Sequence, residues 1–411
     1  MTHQYDLIIF GATSFVGQIL CKYLITAPKE ATDITWAIAG RSQEKMEVLK
    51  KSLGLQALEI PIIQANASDE ASLKQMCQQA KVVVSTVGPY ALYGEPLVKA
   101  CVESGTDYCD LTGEAQWIEK MIHKYEPKAQ QTGARIVHCC GFDSIPSDMG
   151  VFYLQQQSKA QLGEYCDRVK MGVRSLRGGF SGGTIASIVN AVKEAMEEPG
   201  VRRSMANPYS LCPTNHAFTT RQFNQKSAVL DEDFKCWTAP FVMAAINTRV
   251  VFRSNALMGA LYGANFRYTE AMMTGKGLKG RISATTFSAT MAAFIAGTVF
   301  KPSRWILESY VLPKPGEGPT VEEQETGFYD LRFLGKTPDG KQLFVKVTGD
   351  KDPGYGSTSK MLSQAAICLA KDVNKAELKG GFWTPSTAFG DKLINRLSQF
   401  AGLTFETVGS K

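Results

Sequence analysis

The chain has 411 residues, of which 44% are hydrophobic and 20% are charged, a balance that argues against a disordered polypeptide. Hydrophobic cores stop growing at roughly 250–300 residues, so we expect two domains. The formal net charge of +6 is small for this length, and the absence of a run rich in lysine and arginine argues against a nucleic-acid partner.

The cysteines and the first residues bear on metal binding and location. The ten cysteines are scattered, mostly in apolar stretches, and neither a Cys-x-x-Cys nor a His-Glu-x-x-His motif occurs. We therefore predict no metal site and expect buried, reduced thiols. The first predicted strand starts so near residue 1 that we expect no signal peptide and a cytoplasmic protein.

The first elements of the chain form a strand, a turn, a helix and a second strand within about 40 residues. Residues 7–10 are continuously apolar, as is typical of a parallel strand covered on both faces. A glycine-containing turn, a helical pattern and a strand at residues 35–39 follow. This order predicts the nucleotide-binding unit of a Rossmann domain.

The turn after the first strand predicts a diphosphate site. Gly11 permits a tight turn, the small residues after it let backbone N–H groups approach the ligand, and the helix N-terminus adds a partial positive charge. Gly17 lets the helix pack close to the sheet, whereas Ser14 stands where glycine is usual. We predict that the cofactor contacts Gly11, Ala12, Thr13, Ser14, Phe15, Val16 and Gly17.

The end of the second strand indicates which nicotinamide cofactor binds. An NAD site has an acidic residue there, but this chain has Arg41 and Ser42. A guanidinium can bind a 2′-phosphate through two hydrogen bonds, and a serine hydroxyl can add another. The alternative is a solvated surface arginine. We predict NADP as the cofactor.

The next strand, at residues 82–87, ends beside the expected position of the central ribose or the nicotinamide. Ligands of doubly wound sheets bind at the carboxyl ends of the strands. Further strands at residues 108–111 and 135–140 extend the sheet, and we expect His138 to be a core or hydrogen-bonded histidine. The residues predicted to line the cofactor here are Ser85, Thr86, Val87, Gly88 and Pro89.

The candidates for orienting a substrate or supplying a proton are Tyr90, Asp143 and Ser144. Tyr90 projects from the loop after the strand at residues 82–87, and the other two lie in the polar, turn-rich segment 141–148. Asp143 and Ser144 could equally cap the helix that begins near Ser147. The pattern leaves both roles open.

The second half of the chain predicts a different architecture. Strands at residues 327–334 and 342–348 are joined at Pro338-Asp339-Gly340, a strong hairpin signal. We expect an α/β protein with a Rossmann doubly wound parallel sheet and a second α+β domain with a largely antiparallel sheet. The expected domains are an NADP-binding domain at 1–147, a substrate and dimerisation domain at 148–352, and helices at 353–411 that return to the Rossmann domain.

One stretch is apolar enough to consider a membrane. Residues 284–300 lie between Arg281 and Lys301 and are shorter than the roughly 20 apolar residues that a span needs. We expect a helix that is buried or lies in a homodimer interface. Contact with a membrane surface or a lipid substrate is the alternative.

Seven segments of the chain match motifs of a known family: 11–17, 39–41, 86–90, 108–114, 141–148, 352–355 and 384–386. Together they resemble the saccharopine dehydrogenase-like oxidoreductases, and within them the branch of the mycobacterial trans-acting enoyl reductases and an animal oxidoreductase. The likeness extends over nearly the whole chain. It implies a Rossmann domain, a second domain that often dimerises and nicotinamide chemistry on an acyl chain; the animal relatives are associated with lipid surfaces.

Three functions follow as hypotheses. The first is an NADP-dependent oxidoreductase that reduces a C=C bond of a lipid-like or carrier-bound acyl substrate by hydride transfer. The second is a saccharopine dehydrogenase-type enzyme that reduces an imine of an amino acid, which would need a pocket rich in arginine. The third is a non-catalytic NADP-binding protein at a lipid surface.

Overall fold

The computed structural model describes residues 3–178, 182–299 and 318–410. The strands are β1 (Tyr5–Phe10), β2 (Trp36–Gly40), β3 (Ile62–Gln64), β4 (Ala80–Ser85), β5 (Asp107–Asp110), β6 (Arg135–Val137), β7 (Arg168–Arg177), β8 (Val229–Asp231), β9 (Cys236–Pro240), β10 (Arg267–Gly275), β11 (Phe328–Lys336), β12 (Gln342–Gly349), β13 (Gly381–Trp383) and β14 (Leu403–Ser410).

The α-helices follow the same numbering along the chain. They are α1 (Phe15–Thr26), α2 (Gln43–Leu53), α3 (Glu70–Cys77), α4 (Tyr90–Tyr93), α5 (Glu95–Ser104), α6 (Ala115–Thr132), α7 (Ile145–Leu162), α8 (Gly182–Glu197), α9 (Pro199–Ala206), α10 (Ala244–Leu257), α11 (Gly277–Val299), α12 (Val321–Thr326), α13 (Gly356–Ile367), α14 (Pro385–Phe389) and α15 (Asp391–Phe400).

The described residues form two compact units. The first contains residues 3–145, 318 and 354–402, and the second contains residues 146–178, 182–299, 319–353 and 403–410. The segment that we expected to return as helices, 353–411, therefore divides between the units. Its last eight described residues form β14, which pairs with β12 and covers an edge that would otherwise expose unpaired backbone groups.

The first unit is built on a seven-stranded parallel sheet. Its order is β13-β6-β5-β4-β1-β2-β3, which confirms the predicted Rossmann arrangement with one added strand. The central strand β1 is buried over Leu7, Ile8 and Ile9, because helices cover both faces of the sheet. Helix α13 returns late in the chain and packs on α1 and on β1, β4 and β5.

The second unit is built on a seven-stranded sheet with the order β14-β12-β11-β7-β10-β9-β8. Only β7 and β10 pair in parallel, so the prediction of a largely antiparallel sheet is confirmed. The predicted hairpin is also present, since β11 pairs with β12 from Lys336 opposite Gln342 to Tyr329 opposite Gly349.

Helix α11 contains most of the apolar stretch. Of its two expected places, burial within the chain is wrong, and a homodimer interface stays a prediction. The helix packs on β9 and β10, but only a narrow face that includes Gly280, Ala284 and Ser288 is buried. Leu278 is 71% exposed and Ile282 is 57% exposed. By length and composition alone, α11 is the one helix among the described residues that could cross a membrane. Phe300, the last residue of the stretch, lies outside the described residues.

Candidate cofactor and active site

The turns that follow β1, β2 and β4 are neighbours at the carboxyl edge of the first sheet. The N–H of Gly11 donates to the carbonyl of Ala39 over 3.0 Å, which joins the first turn to the end of β2. The N–H of Thr86 donates to the carbonyl of Phe10 over 3.0 Å, which joins the end of β4 to the last residue of β1, directly before the same turn. The parallel register therefore brings three of the predicted cofactor segments together.

Two positions in the first turn require glycine. Gly11 has a φ of +89°, and a Cβ there would lie 2.6 Å from Cγ2 of Val87. A Cβ at Gly17 would lie 2.4 Å from the carbonyl oxygen of Gly11. Side chains at either position would displace the turn, so the glycines keep the backbone where it can approach a diphosphate.

Ser14 connects the turn to β4, which explains why a serine can replace the usual glycine. Its hydroxyl accepts a hydrogen bond from the N–H of Gly17 over 3.0 Å and caps α1. The same hydroxyl lies 2.9 Å from Oγ1 of Thr86, which in turn donates to the carbonyl of Gly11 over 2.9 Å. The first N–H groups of a helix have no acceptor within the helix, so those of Phe15 and Val16 remain for an anion.

The predicted 2′-phosphate site lies at the end of β2. Arg41 is exposed, and Ser42 is the N-cap of α2, where its hydroxyl accepts from the N–H of Lys45 over 3.3 Å. The hydroxyl hydrogen of Ser42 is not used in that bond. An exposed guanidinium beside a hydroxyl donor and a helix N-terminus fits a phosphate group.

The residues at the end of β4 divide into two groups. Ser85 and Thr86 are buried, and the Ser85 hydroxyl accepts from the N–H of Val87 over 3.4 Å. Val87, Gly88 and Pro89 are more exposed and form the surface of the sheet edge. We expect these last three to contact the cofactor directly. We expect the buried Ser85 and Thr86 to hold the backbone of this segment in position.

Tyr90 occupies a structural position. Its ring is 3% exposed, and its hydroxyl donates to the carbonyl of Ser85 over 2.9 Å. Its N–H and that of Ala91 donate to the two carboxylate oxygens of Glu114 over 2.8 and 2.9 Å. Burial first, then the nearby charge of Asp110, raises the pKa of Tyr90 well above 10, which disfavours a role as proton donor.

Asp110 and His138 form a buried pair at the ends of β5 and β6. Oδ2 of Asp110 lies 2.7 Å from Nδ1 of His138. Oδ1 of Asp110 accepts from the N–H groups of Thr112 and Cys139, each over 3.1 Å. His138 is therefore the hydrogen-bonded core histidine that the strand pattern predicts.

Asp143 lies in the loop that follows this pair and keeps partial exposure to solvent. Loss of solvation raises the pKa of Asp143 to about 7, so near neutral pH it is close to half protonated. It is near enough to Tyr90 for its charge to affect that side chain. Ser144 is fully buried and has a φ of +97°. Tyr90 and Asp143, two of the three predicted catalytic residues, thus lie close together. The catalytic role of Asp143 stays a prediction.

Asp110 and Glu114 were missed as candidate site residues. Both lie in the segment 108–114, and their roles depend on partners 23 or more residues away in the chain. A usable signal was present, because Asp110 and His138 are polar residues at the ends of two consecutive strands of a parallel sheet, where side chains meet.

Comparisons with known proteins agree with this geometry. Residues 7–137 match the family model described as the saccharopine dehydrogenase NADP-binding domain. A Mycobacterium bovis protein named trans-acting enoyl reductase is 37% identical, with 96% of each chain covered. A Mycobacterium tuberculosis protein provisionally described in the same way is 39% identical over 98% of this chain and 97% of its own.

One solved structure has a comparable fold over the full length. Apo saccharopine dehydrogenase (L-Glu forming) from Saccharomyces cerevisiae has a TM-score of 0.54, with 98% of this chain and 100% of that chain covered. The sequence identity is 12%, so this likeness concerns the fold.

Proposed function

The chain belongs to the trans-acting enoyl reductases of the saccharopine dehydrogenase-like family and is an NADP-dependent oxidoreductase, and from this premise we propose that it reduces the C=C bond of an α,β-unsaturated acyl thioester. NADPH would supply a hydride. Arg41 and Ser42 would bind the 2′-phosphate, and the first turn of α1 would bind the diphosphate. Both roles would direct the nicotinamide toward the carboxyl ends of β4, β5 and β6.

Asp143 would complete the reaction. When the β-carbon of the acyl chain receives the hydride, the two electrons of the double bond move toward the thioester carbonyl. The α-carbon then needs one proton, and the Asp143 carboxyl can give it and regain another from solvent. The observation that carries this proposal is the 37–39% identity, over nearly the whole chain, to proteins named trans-acting enoyl reductase. The partly exposed carboxyl of Asp143, in the loop that follows β6, supports the assignment of the proton donor.

The test is NADPH oxidation with a panel of 2-enoyl thioesters. We expect Asp143→Asn to lower kcat by about 10²–10⁴-fold and to change the NADPH Kd by less than about 2-fold. Because the donor must be protonated, wild-type kcat should fall as the pH rises through about 7.

The matched control is Asp69→Asn, which exchanges one good helix cap for another at the N-terminus of α3. It should leave both constants unchanged. Wild-type turnover in Asp143→Asn would contradict the donor assignment, and no NADPH oxidation with any thioester would contradict enoyl reduction.

The amino-acid alternative has less support. An imine substrate with several carboxylates would need a pocket lined by arginines. Arg174 has its guanidinium 3.8 Å from Asp330 and an exposed side chain, and Arg168 is also exposed beside Asp167. Arg202 and Arg203 are exposed on α9. We therefore favour an acyl substrate.

We also propose that the chain forms a homodimer through α11. Residues 282–299 contain no ionisable side chain, and the outer face of the helix exposes Ile282, Phe287 and Ile295. An uncharged face of this length tends to be covered by another apolar surface. Contact with a lipid surface is the other outcome, and sedimentation of the protein alone and with lipid vesicles distinguishes the two.

A further inference from the structure

We propose that Asp110 and His138 are positioning residues whose buried pair holds the loop 139–144 and thereby sets the place and surroundings of Asp143. The proposal rests on the proposed function only for the role of Asp143 as a donor. Neither Asp110 nor His138 would touch the substrate, because they are 0% and 5% exposed.

Three consecutive residues bind Asp110: His138 and the first two residues of the loop. His138 binds through Nδ1 over 2.7 Å, and the N–H of Cys139 donates to the carboxylate over 3.1 Å. The N–H of Cys140 donates to the backbone carbonyl of Asp110 over 2.7 Å. Since the carboxylate can only accept, the network assigns a proton to Nδ1 of His138. Asp110 thus fixes both the imidazole and the loop backbone.

The loop needs such a constraint. Cys139 has a φ of +61° and Ser144 a φ of +97°, and non-glycine residues are strained in this region. Further along the loop, the N–H of Phe142 donates to Oγ1 of Thr358 over 2.9 Å. Asp143 therefore follows two sets of hydrogen bonds, those to Asp110 and the one from Phe142 to Thr358. Both must be kept for its carboxyl to stay in a poorly solvated position.

Aromatic side chains enclose the imidazole and prevent other orientations. The His138 ring centroid lies 5.1 Å from Trp117, 5.8 Å from Tyr108 and 5.7 Å from Phe382. Nε2 of His138 has no hydrogen-bond partner among the residues that the structure describes. The Nδ1 bond to Asp110 is therefore the polar interaction through which this histidine acts on the loop.

Two kinds of substitution separate positioning from packing. His138→Asn keeps an N–H near the place of Nδ1 but loses aromatic packing, whereas His138→Phe keeps the packing and loses the bond. His138→Gln places its amide near Nε2 and serves as the second variant if the Phe variant does not fold. The charges that act on Tyr90 are those of Asp110, Glu114 and Asp143, and these substitutions leave all three in place.

The readout is the titration midpoint of Asp143, measured by ¹³C NMR of protein labelled at aspartate carboxyls and assigned with Asp143→Asn. We expect His138→Phe and His138→Gln to lower the midpoint by about 1 pH unit or more, because a relaxed loop lets water reach the carboxyl. His138→Asn should stay within about 0.3 units of wild type. With a thioester that the wild-type protein reduces, kcat of the His138→Phe variant should fall about 10–100-fold, and its Kd for NADPH should stay unchanged.

The matched control is Asp107→Asn, which removes a buried carboxylate from the same strand. Asp107 accepts from Nε of Arg135 over 3.0 Å, so its loss should lower stability without moving the Asp143 midpoint. A shift in His138→Asn with none in His138→Phe, or equal shifts in these and the control, would overturn the proposal. Because the NMR readout needs no substrate, the failure of enoyl reduction would not be mistaken for failure of this inference.

Discussion

Two aspartates of the first unit have pKa values that their surroundings move in opposite directions. Burial acts to raise the pKa of Asp6, but hydrogen bonds from Lys81, Thr35 and Lys371 outweigh it and lower the value to about 2. Among the residues that the structure describes, no such donor to Asp143 offsets the loss of solvation, and its pKa rises to about 7. The same residue type therefore stabilises the fold at one edge of the sheet and can carry a proton at the other.

Asp6 should make the free energy of unfolding depend on pH in the acidic range. Because its folded-state pKa is below the value of about 3.9 in an unfolded chain, its contribution is present above pH 4 and is lost as the pH falls toward 2. We expect Asp6→Asn to lower the free energy of unfolding by about 1–2 kcal/mol at pH 7 and to have little effect near pH 2, allowing for the half-exposed Lys81. Urea titrations at both values measure this, and the exposed Asp33→Asn is the control.

Arg41 should decide which cofactor binds. Replacing the guanidinium by an amide in Arg41→Gln removes charge-assisted bonds to the 2′-phosphate, so the NADPH Kd should rise about 10–100-fold while that of NADH stays unchanged. Calorimetry with each cofactor measures both constants. Lys51→Gln, at the exposed far end of α2, should change neither. An equal loss for NADPH and NADH would contradict this assignment.

At the scale of elements, local patterns predict the nucleotide-binding unit well and its internal contacts poorly. The apolar run of β1, the glycines after it and Arg41 after β2 each occupy the place that the sequence indicates. The bond between Ser14 and Thr86 joins residues 72 positions apart, so no local pattern contains it. The pairing of Asp110 with His138 likewise depends on β5 and β6 being neighbours.

Helix α11 shows why composition alone does not predict whether an apolar helix is buried within its own chain. The small residues of α11 resemble those of a buried helix, but the sheet of its own unit covers only one narrow face. The hydrophobicity of a helix face predicts that the face will be buried, but it does not identify the molecule that buries it.

The turn before α1 should not tolerate a side chain at Gly17. In Gly17→Ala the new Cβ would meet backbone oxygens of the same turn, at 2.4 Å from Gly11 and 2.8 Å from Ala12. We expect a loss of about 1–3 kcal/mol in stability and NADPH binding weakened by at least about 10-fold. Thermal unfolding and calorimetry test this. Gly200→Ala, where a Cβ meets nothing within 4 Å, is the control and should not weaken binding.

Helix α11 should control assembly. We expect the double substitution Ile282→Glu and Phe287→Glu to convert the dimer to a monomer in sedimentation velocity, because charges cannot be buried unpaired in an apolar interface. Leu55→Glu, at an apolar residue of the first unit that is 84% exposed, should leave the dimer intact. A wild-type protein that is monomeric at all concentrations would contradict the dimer proposal.

At the scale of the whole molecule, the chain joins an NADP-binding Rossmann sheet to a largely antiparallel second sheet, as its relatives and the saccharopine dehydrogenase fold indicate. We propose that the first unit holds the cofactor and the proton donor, and that the second provides substrate binding and dimerisation. The chain crosses between them several times, so the C-terminal residues contribute to both sheets. This interleaving could not be predicted from composition, because β13 has 3 residues and pairs with β6, which comes far earlier in the chain.

The most direct test of enoyl reduction follows the hydrogen atoms. NADPH deuterated at both C4 positions is incubated with the wild-type protein and a 2-enoyl thioester in ordinary water, and the product is analysed by mass spectrometry and NMR. We expect one deuterium at the β-carbon and a solvent-derived hydrogen at the α-carbon. Deuterium at the α-carbon, or oxidation of NADPH without a saturated product, would contradict the account.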